Sequence, residues 1–484
     1  MGVSAELFDD HSPLQLGARG TRHGVAFTLV GRLQYGYEGG SWNEWHALFD
    51  NGPNGQRSAW LSEDNGAYVI AFDAPLPADA PALDGLRAGQ RVLADGRAWD
   101  VASVTRATLI AAQGELPNPP RLAGEFSVVD LRNSSHEVAT LDDSEPAQLH
   151  WSSGRAVLLS ELALNGLRED SATTLSGRAF ECPGCGAALQ LKLATTQSLS
   201  CPQCQSVVDV SAGVGADMAH YQQNNSGVGA RAPQIALGTV GTLGLGEGPL
   251  PWQIVGTLER CDIPTDAEEE TSFWREYLLY NATRGFAFLV DSNEGWSWVR
   301  PLTGTPLLRG NAASHNGVAY RQQFSYAAKV LWVQGEFYWR VRRDERAQVT
   351  DYIGTGAHTE ARLSSEKTPT ELTWSAGATL NASQIADAFG IAPAARAALQ
   401  RDAAPLSGGA SGASKALFII FAVFVVVVLL AQCSGDDCDS VRSTFGAAST
   451  EYQQCQRNAG SGIRSGGSGG GSFGGWSSGG GGHK

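Results

Sequence analysis

The sequence predicts a mainly β protein: two homologous antiparallel β-rich modules, each a small barrel or sandwich, a cysteine-bearing ribbon inserted between them, and a single apolar helix near the C-terminus. Three observations predict it. Landmarks recur in the same order along two stretches of the chain, two Cys-x-x-Cys pairs lie between those stretches, and an uncharged run of sixteen residues follows both.

The repeat comes first, because missing it would misread the whole chain. Leu16-Gly17 returns as Leu237-Gly238, and Val30-Gly31-Arg32-Leu33 as Val255-Gly256-Thr257-Leu258. Trp42-Asn43-Glu44-Trp45 answers to Trp274-Arg275-Glu276-Tyr277, and Gln113-Gly114-Glu115 to Gln334-Gly335-Glu336. Asp130 matches Asp351, and Trp151 matches Trp374. The offsets run from roughly 221 to 232 residues, as loop insertions would produce, and place the modules at 11–165 and 233–395.

Segments 25–33, 41–49 and 67–72 alternate apolar with polar residues and are rich in aromatic and β-branched types, which predicts strands. Clusters such as Asp50-Asn51-Gly52-Pro53 supply the turns between them. In the second copy, 286–290, 296–300, 329–333 and 337–341 read the same way. The Gln-Gly-Glu element is expected to be a hairpin turn or bulge, and Glu115, Glu336, Asp130 and Asp351 turn residues. Helix is sparse, with 380–389 the best candidate, and the glycine-rich run at 238–248 reads as a loop.

Between the copies, at 178–212, Cys182-x-x-Cys185 and Cys201-x-x-Cys204 are fifteen residues apart. Two tight turns of this kind each offer two thiolates to one ion, and four sulfurs complete a tetrahedral structural Zn2+ shell with no open catalytic position. Pro183 and Pro202 stiffen the turns, Gly184 and Gly186 admit backbone amides to the sulfurs, and the alternating stretch between the pairs predicts a hairpin. Disulfides are disfavoured because the first residues carry neither the basic start nor the apolar run of a secretory signal, so a cytosolic, reducing setting is expected. The ribbon is close to neutral and reads as a rigid spacer or protein-contact element.

After a linker at 396–415, residues 416–432 form an apolar stretch flanked by Ser/Gly-rich and acidic sequence. Its uncharged core of sixteen residues spans about 24 Å as a helix, short of the roughly 30 Å hydrocarbon core but extensible at both ends. Arg401 and Lys415 before it and Asp436, Asp437 and Asp439 after it predict a single-pass inner-membrane protein with residues 1–415 in the cytoplasm and the Gly/Ser-rich tail at 433–484 outside. Cys433, Cys438 and Cys455 there are open to disulfide or lipid chemistry, or stay free.

A net charge of -14 argues against nucleic acid, which needs concentrated Lys and Arg. No nucleophile elbow, phosphate-binding loop or metalloprotease helix is present. The best enzymatic candidate is Glu44 with His46, on one strand face with Trp42; the second copy keeps Trp274 and Glu276 but has Leu278 at the His position, so a shared structural role is favoured. These five residues, Trp42, Glu44, His46, Trp274 and Glu276, are the candidate ligand-binding set. The expectation is a non-catalytic scaffold or adaptor that presents two β modules to protein partners. Alternatives are a polyamine- or small-cation-binding sensor, since aromatics with carboxylates bind ammonium groups, and an enzyme using Glu44 and His46.

The residues at 30–35, 42–46 and 60–63, with the Leu-Gly before them, resemble the bacterial domain of unknown function 4178, and the resemblance covers both repeats. The inserted ribbon and C-terminal apolar helix are similar to that family's multi-domain members. The second copy departs at Thr257, Glu259, Tyr277 and Leu278. The resemblance implies no activity. It implies a setting beside membrane-remodelling proteins of the phage-shock type and polyamine enzymes.

Overall fold

Strand follows strand in both modules, and each sheet curls until its first strand meets its fifth. A computed structural model of the chain describes residues 2–3 and 12–399, apart from 39, 51–54, 65–66, 121–123, 146–147, 168–178, 194–195, 212–217, 224–232, 247, 266–269 and 283. The apolar segment 416–432, the linker beyond residue 399 and the tail at 433–484 lie outside the described residues. Among those described, no helix is long and apolar enough to cross a membrane.

The first module comprises β1 (Val25–Tyr37), β2 (Gly40–Phe49), β3 (Arg57–Asp64), β4 (Ala67–Ala74), β5 (Arg97–Gly114), β6 (Glu125–Arg132), β7 (Glu137–Glu145) and β8 (Gln148–Val157). β1 to β4 make one antiparallel meander and β5 to β8 another; β4 pairs with β8 and β1 with β5, closing a barrel. The ribbon carries β9 (Ala179–Glu181), β10 (Ala188–Gln190), β11 (Ser198–Ser200) and β12 (Val207–Asp209). The second module repeats the eight strands as β13 (Leu250–Ile263), β14 (Phe273–Asn281), β15 (Gly285–Ser292), β16 (Gly295–Leu302), β17 (Val318–Phe337), β18 (Arg346–Gly354), β19 (Ala361–Lys367) and β20 (Leu372–Leu380), closed by β16–β20 and β13–β17. Barrels, not sandwiches, are formed, and eight strands leave an interior just wide enough for side chains to fill.

The two most distinctive repeat motifs turn out to be two halves of one feature. Gly31 of Val-Gly lies opposite Gly114 of Gln-Gly-Glu across the closure, and Gly256 lies opposite Gly335 in the second barrel. Gly114 and Gly335 have φ of +81° and +91°, and a Cβ on either would collide with the carbonyl of Val30 or Val255. Only glycine allows the backbones to approach so closely in that conformation. The element is therefore the closing seam at the end of a long strand and not a hairpin turn. Asp130 and Asp351, expected in turns, are fully buried in mid-strand. Ser103 and Thr140 donate to Asp130, and Tyr326 and Ser364 to Asp351, the last two at 2.8 and 2.7 Å.

Two further expectations change, and one strand proves longer than expected. Segment 329–333 is the middle of one twenty-residue strand. Segment 337–341 is no strand, because beyond Phe337 the ribbon takes over the pairing: Gln197 N donates to Phe337 O and Val341 N to Ser198 Oγ. The glycine run contains a strand, Val240–Leu243, laid on β13, with Gly241 leaving room for the Phe389 ring. That ring follows α1 (Ala382–Ala388), where Asn381 and Gln384 make a capping box; Ile385 and Phe389 cover the outer face of β13–β15 at Trp252, Tyr277 and Leu289. In the first barrel, Leu14, Ala18 and Leu162 cover Phe27, Leu29 and Trp45 instead.

The barrels touch each other without an intermediary. Val104 N donates to Thr370 O at 2.9 Å, Thr305 Oγ1 to Asp100 Oδ2 at 3.1 Å, and Arg132 Nη1 to Leu302 O at 3.2 Å. The ribbon is thus not the spacer that separates them; it is docked on the second.

Candidate metal centre

The ribbon folds as two knuckles. β9 and β10 form one hairpin around Cys182 and Cys185, and β11 and β12 form another around Cys201 and Cys204. The predicted hairpin between the pairs is absent, since β10 does not pair with β11 among the described strands. In each knuckle the backbone turns back identically: Gly186 N donates to Cys182 O and Gln205 N to Cys201 O, both at 2.8 Å. That turn needs a left-handed residue after the second cysteine. Gly186 supplies it at φ +74°, and Gln205 adopts it at +62°.

The two knuckles face one another, so the four sulfurs lie within 4.8 Å of one another and the set can hold a metal ion. Cys182 Sγ is 3.6 Å from Cys204 Sγ, and Cys185 Sγ is 3.7 Å from Cys201 Sγ. Gly184 keeps the approach open, because a Cβ there would lie 2.9 Å from Ser206 Oγ, the hydroxyl beside Cys204 Sγ. Burial pushes the Cys182 thiol up to about 12, although the amides of Gly184 and Cys185 donate to it. At Cys204 burial also acts upward but is outweighed by hydrogen bonds from the Ser206 hydroxyl and amide, which bring it down to about 6. Amides aimed at clustered sulfurs stabilise thiolates, the form that binds a metal.

A carboxylate fastens this unit to the second barrel. β11 pairs with the last two residues of β17, Leu199 opposite Glu336. The Glu336 carboxylate, 4% exposed, accepts from the amides of Lys192 and Leu193 at 3.0 and 2.9 Å and from Thr196 Oγ1 at 2.7 Å. It is an anchor rather than the expected turn residue. The counterpart, Glu115, uses its backbone oxygen instead, 2.8 Å from His46 Nδ1.

The five aromatic and acidic candidates sit inside the barrels. Trp42, Glu44 and His46 share one face of β2 by strand alternation. Trp42 Nε1 donates to Glu44 Oε1 at 3.3 Å, and Trp274 Nε1 to Glu276 Oε1 at 2.8 Å, the same bond in both copies. His46 Nε2 lies 3.0 Å from Ser58 Oγ, so both ring nitrogens are engaged.

One group here was not visible from the motifs. Arg260, 1% exposed, lies between Glu276 (3.3 Å) and Glu366 (2.6 Å), with its guanidinium over Trp274. Burial lifts the Glu366 carboxyl to about 8 against the pull of Arg260, and the charge of Glu276 pushes the same way as burial. In the first barrel, register places Glu44, Asp142 and Tyr35 at the equivalent positions, with Tyr35 stacked on Trp42 at 4.9 Å. Burial, then the charges of Glu44, Asp142 and Asp73, raise the Tyr35 phenol well above its ordinary value.

The family described as Domain of unknown function (DUF4178) matches residues 15–159 and 237–382, which are the two barrels and not the ribbon. No curated protein and no solved structure matches the chain.

Proposed function

The chain belongs to the DUF4178 family, with two copies of its domain, and from that premise we propose that it is a membrane-tethered, non-catalytic scaffold stiffened by one structural Zn2+. Cys182, Cys185, Cys201 and Cys204 would hold the ion, which supplies a fourfold sulfur cross-link and no chemistry of its own. The apolar segment at 416–432 is proposed as the tether, holding both barrels at the cytoplasmic face of the inner membrane.

The observation that carries this reading is the use of the polar groups. Trp42, Glu44, His46, Trp274 and Glu276, the residues that could have formed an active site, are engaged in bonds within their barrels, and Glu336 is engaged in docking the ribbon. A body built this way offers surfaces rather than a reaction centre. Crosslinking and mass spectrometry of the full chain from native membranes tests it: a stoichiometric protein partner supports the scaffold, and its absence removes it.

A second reading, a receptor for a polyamine or small cation, is favoured by one exchange. Tyr35 stands in the first barrel where the second carries its own cation, Arg260, between two carboxylates. Calorimetry with spermidine decides it, and no heat at millimolar ligand ends the idea.

A further inference from the structure

A cleft of about 190 Å³ opens on the first barrel between the strand Arg19–Arg22, the start of β5 and the β7–β8 ladder. Arg22, Arg97, Arg155 and Glu137 line it, above Phe72 and Trp99. Three guanidiniums against one carboxylate leave two positive charges in the lining, on a chain whose net charge is -14.

Glu137 is held in place by Asn133 Nδ2, 2.7 Å from Oε2, and its Oε1 is 3.4 Å from both Arg97 and Arg155. One oxygen at that length uses few of the donors that two guanidinium forks present. Asp95, 3.5 Å from Arg97, stands outside the lining. The Arg22 guanidinium has no hydrogen bond or ion pair with a described residue; burial, then the charge of Arg155, lower its pKa, with Glu161 opposing. Guanidiniums this close, sharing one carboxylate oxygen, repel one another, and a bound anion would relieve that repulsion.

The second barrel shows that the fold does not need these charges. Glu137 and Arg155 pair across β7 and β8, as Ala361 and Ala378 do across β19 and β20. Arg97 lies opposite Ala94 in its hairpin, where the second barrel has Val318 opposite His315. Arg22 is the last residue of its strand, and its counterpart is the buried Leu243. All four charged positions become apolar in the copy.

We propose that this cleft binds the dianion of a phosphate monoester. Guanidinium forks match phosphate oxygens in geometry, and a dianion balances the lining where a carboxylate would not.

The test is calorimetry on the full chain with three probes: inorganic phosphate, glycerol 3-phosphate, and vesicles of phosphatidic acid in phosphatidylcholine. Wild type is expected to bind phosphate, with affinity falling from about pH 8 to about pH 5 as the dianion gains a proton. Arg155→Ala and Arg22→Leu, which install the second barrel's residues, should each weaken binding about tenfold or more, as loss of a charge-assisted hydrogen bond does. Arg321→Ala on the second barrel should leave it unchanged. Stronger binding of glycerol 3-phosphate places the phosphate on a soluble compound, and stronger binding of the vesicles places it on a lipid. No binding of any probe at millimolar concentration, or binding unaltered in whichever of the two variants retains the wild-type melting curve, overturns the proposal.

Discussion

The Glu336 carboxylate accepts a 2.7 Å hydrogen bond from the Thr196 hydroxyl, joining the closing strand of the second barrel to the middle of the ribbon 140 residues earlier in the chain. Two amides are also aimed at this buried carboxylate, so it receives three donors from the ribbon.

Replacing it removes the acceptor for three donors at once. Glu336→Ala should cost about 3 kcal/mol or more, since each buried donor left unsatisfied costs roughly 1–3 kcal/mol. Hydrogen exchange checks the cause: the amides of Lys192 and Leu193 should lose protection first. Unchanged protection there would show that the ribbon is held by other contacts.

Arg260 should be harder to replace than any surface arginine. Arg260→Ala leaves Glu276 and Glu366 together in a barrel interior, a loss of about 3–5 kcal/mol in denaturant unfolding. Changing all three to apolar residues of similar volume should recover most of it. If the single variant unfolds like wild type, the cation is not what neutralises the pair.

The same group sets a pH dependence. The Glu366 carboxyl ionises near 4.5 in the unfolded chain and near 8 when folded. The folded state therefore holds a proton that the unfolded state has released, and the stability it contributes is complete below about pH 4.5 and lost as pH rises through about 8. Glu366→Gln should flatten the fall in melting temperature across this window. Parallel wild-type and variant profiles would place the titrating group elsewhere.

Gly335→Ala forces a Cβ against the Val255 carbonyl at a φ of +91°. Thermal melting should show a loss of about 1–3 kcal/mol from backbone strain alone, with the collision adding to it. A neutral variant would mean the seam can relax.

Local grammar made the β class, the duplication and the four cysteines legible, because each leaves a pattern in contiguous residues. The seam was half legible: Val-Gly and Gln-Gly-Glu stood out in both copies, but nothing local says that Gly31 faces Gly114. Glu336 read as a turn residue because its partners Lys192 and Thr196 lie in another domain. Arg260 hid for a related reason. It falls four residues past Gly256, in register with Tyr35, and its meaning depends on Glu366, brought beside it only by closure. The arginine cleft likewise draws on five separate strands.

The central claim is that the four sulfurs of the ribbon share one zinc ion, which would lock its two knuckles together. X-ray absorption on anaerobically purified chain, together with its metal content, tests it most directly. The account predicts one zinc per chain with four sulfur ligands near about 2.3 Å. A metal-free protein, or an ion whose shell contains nitrogen or oxygen, would contradict it.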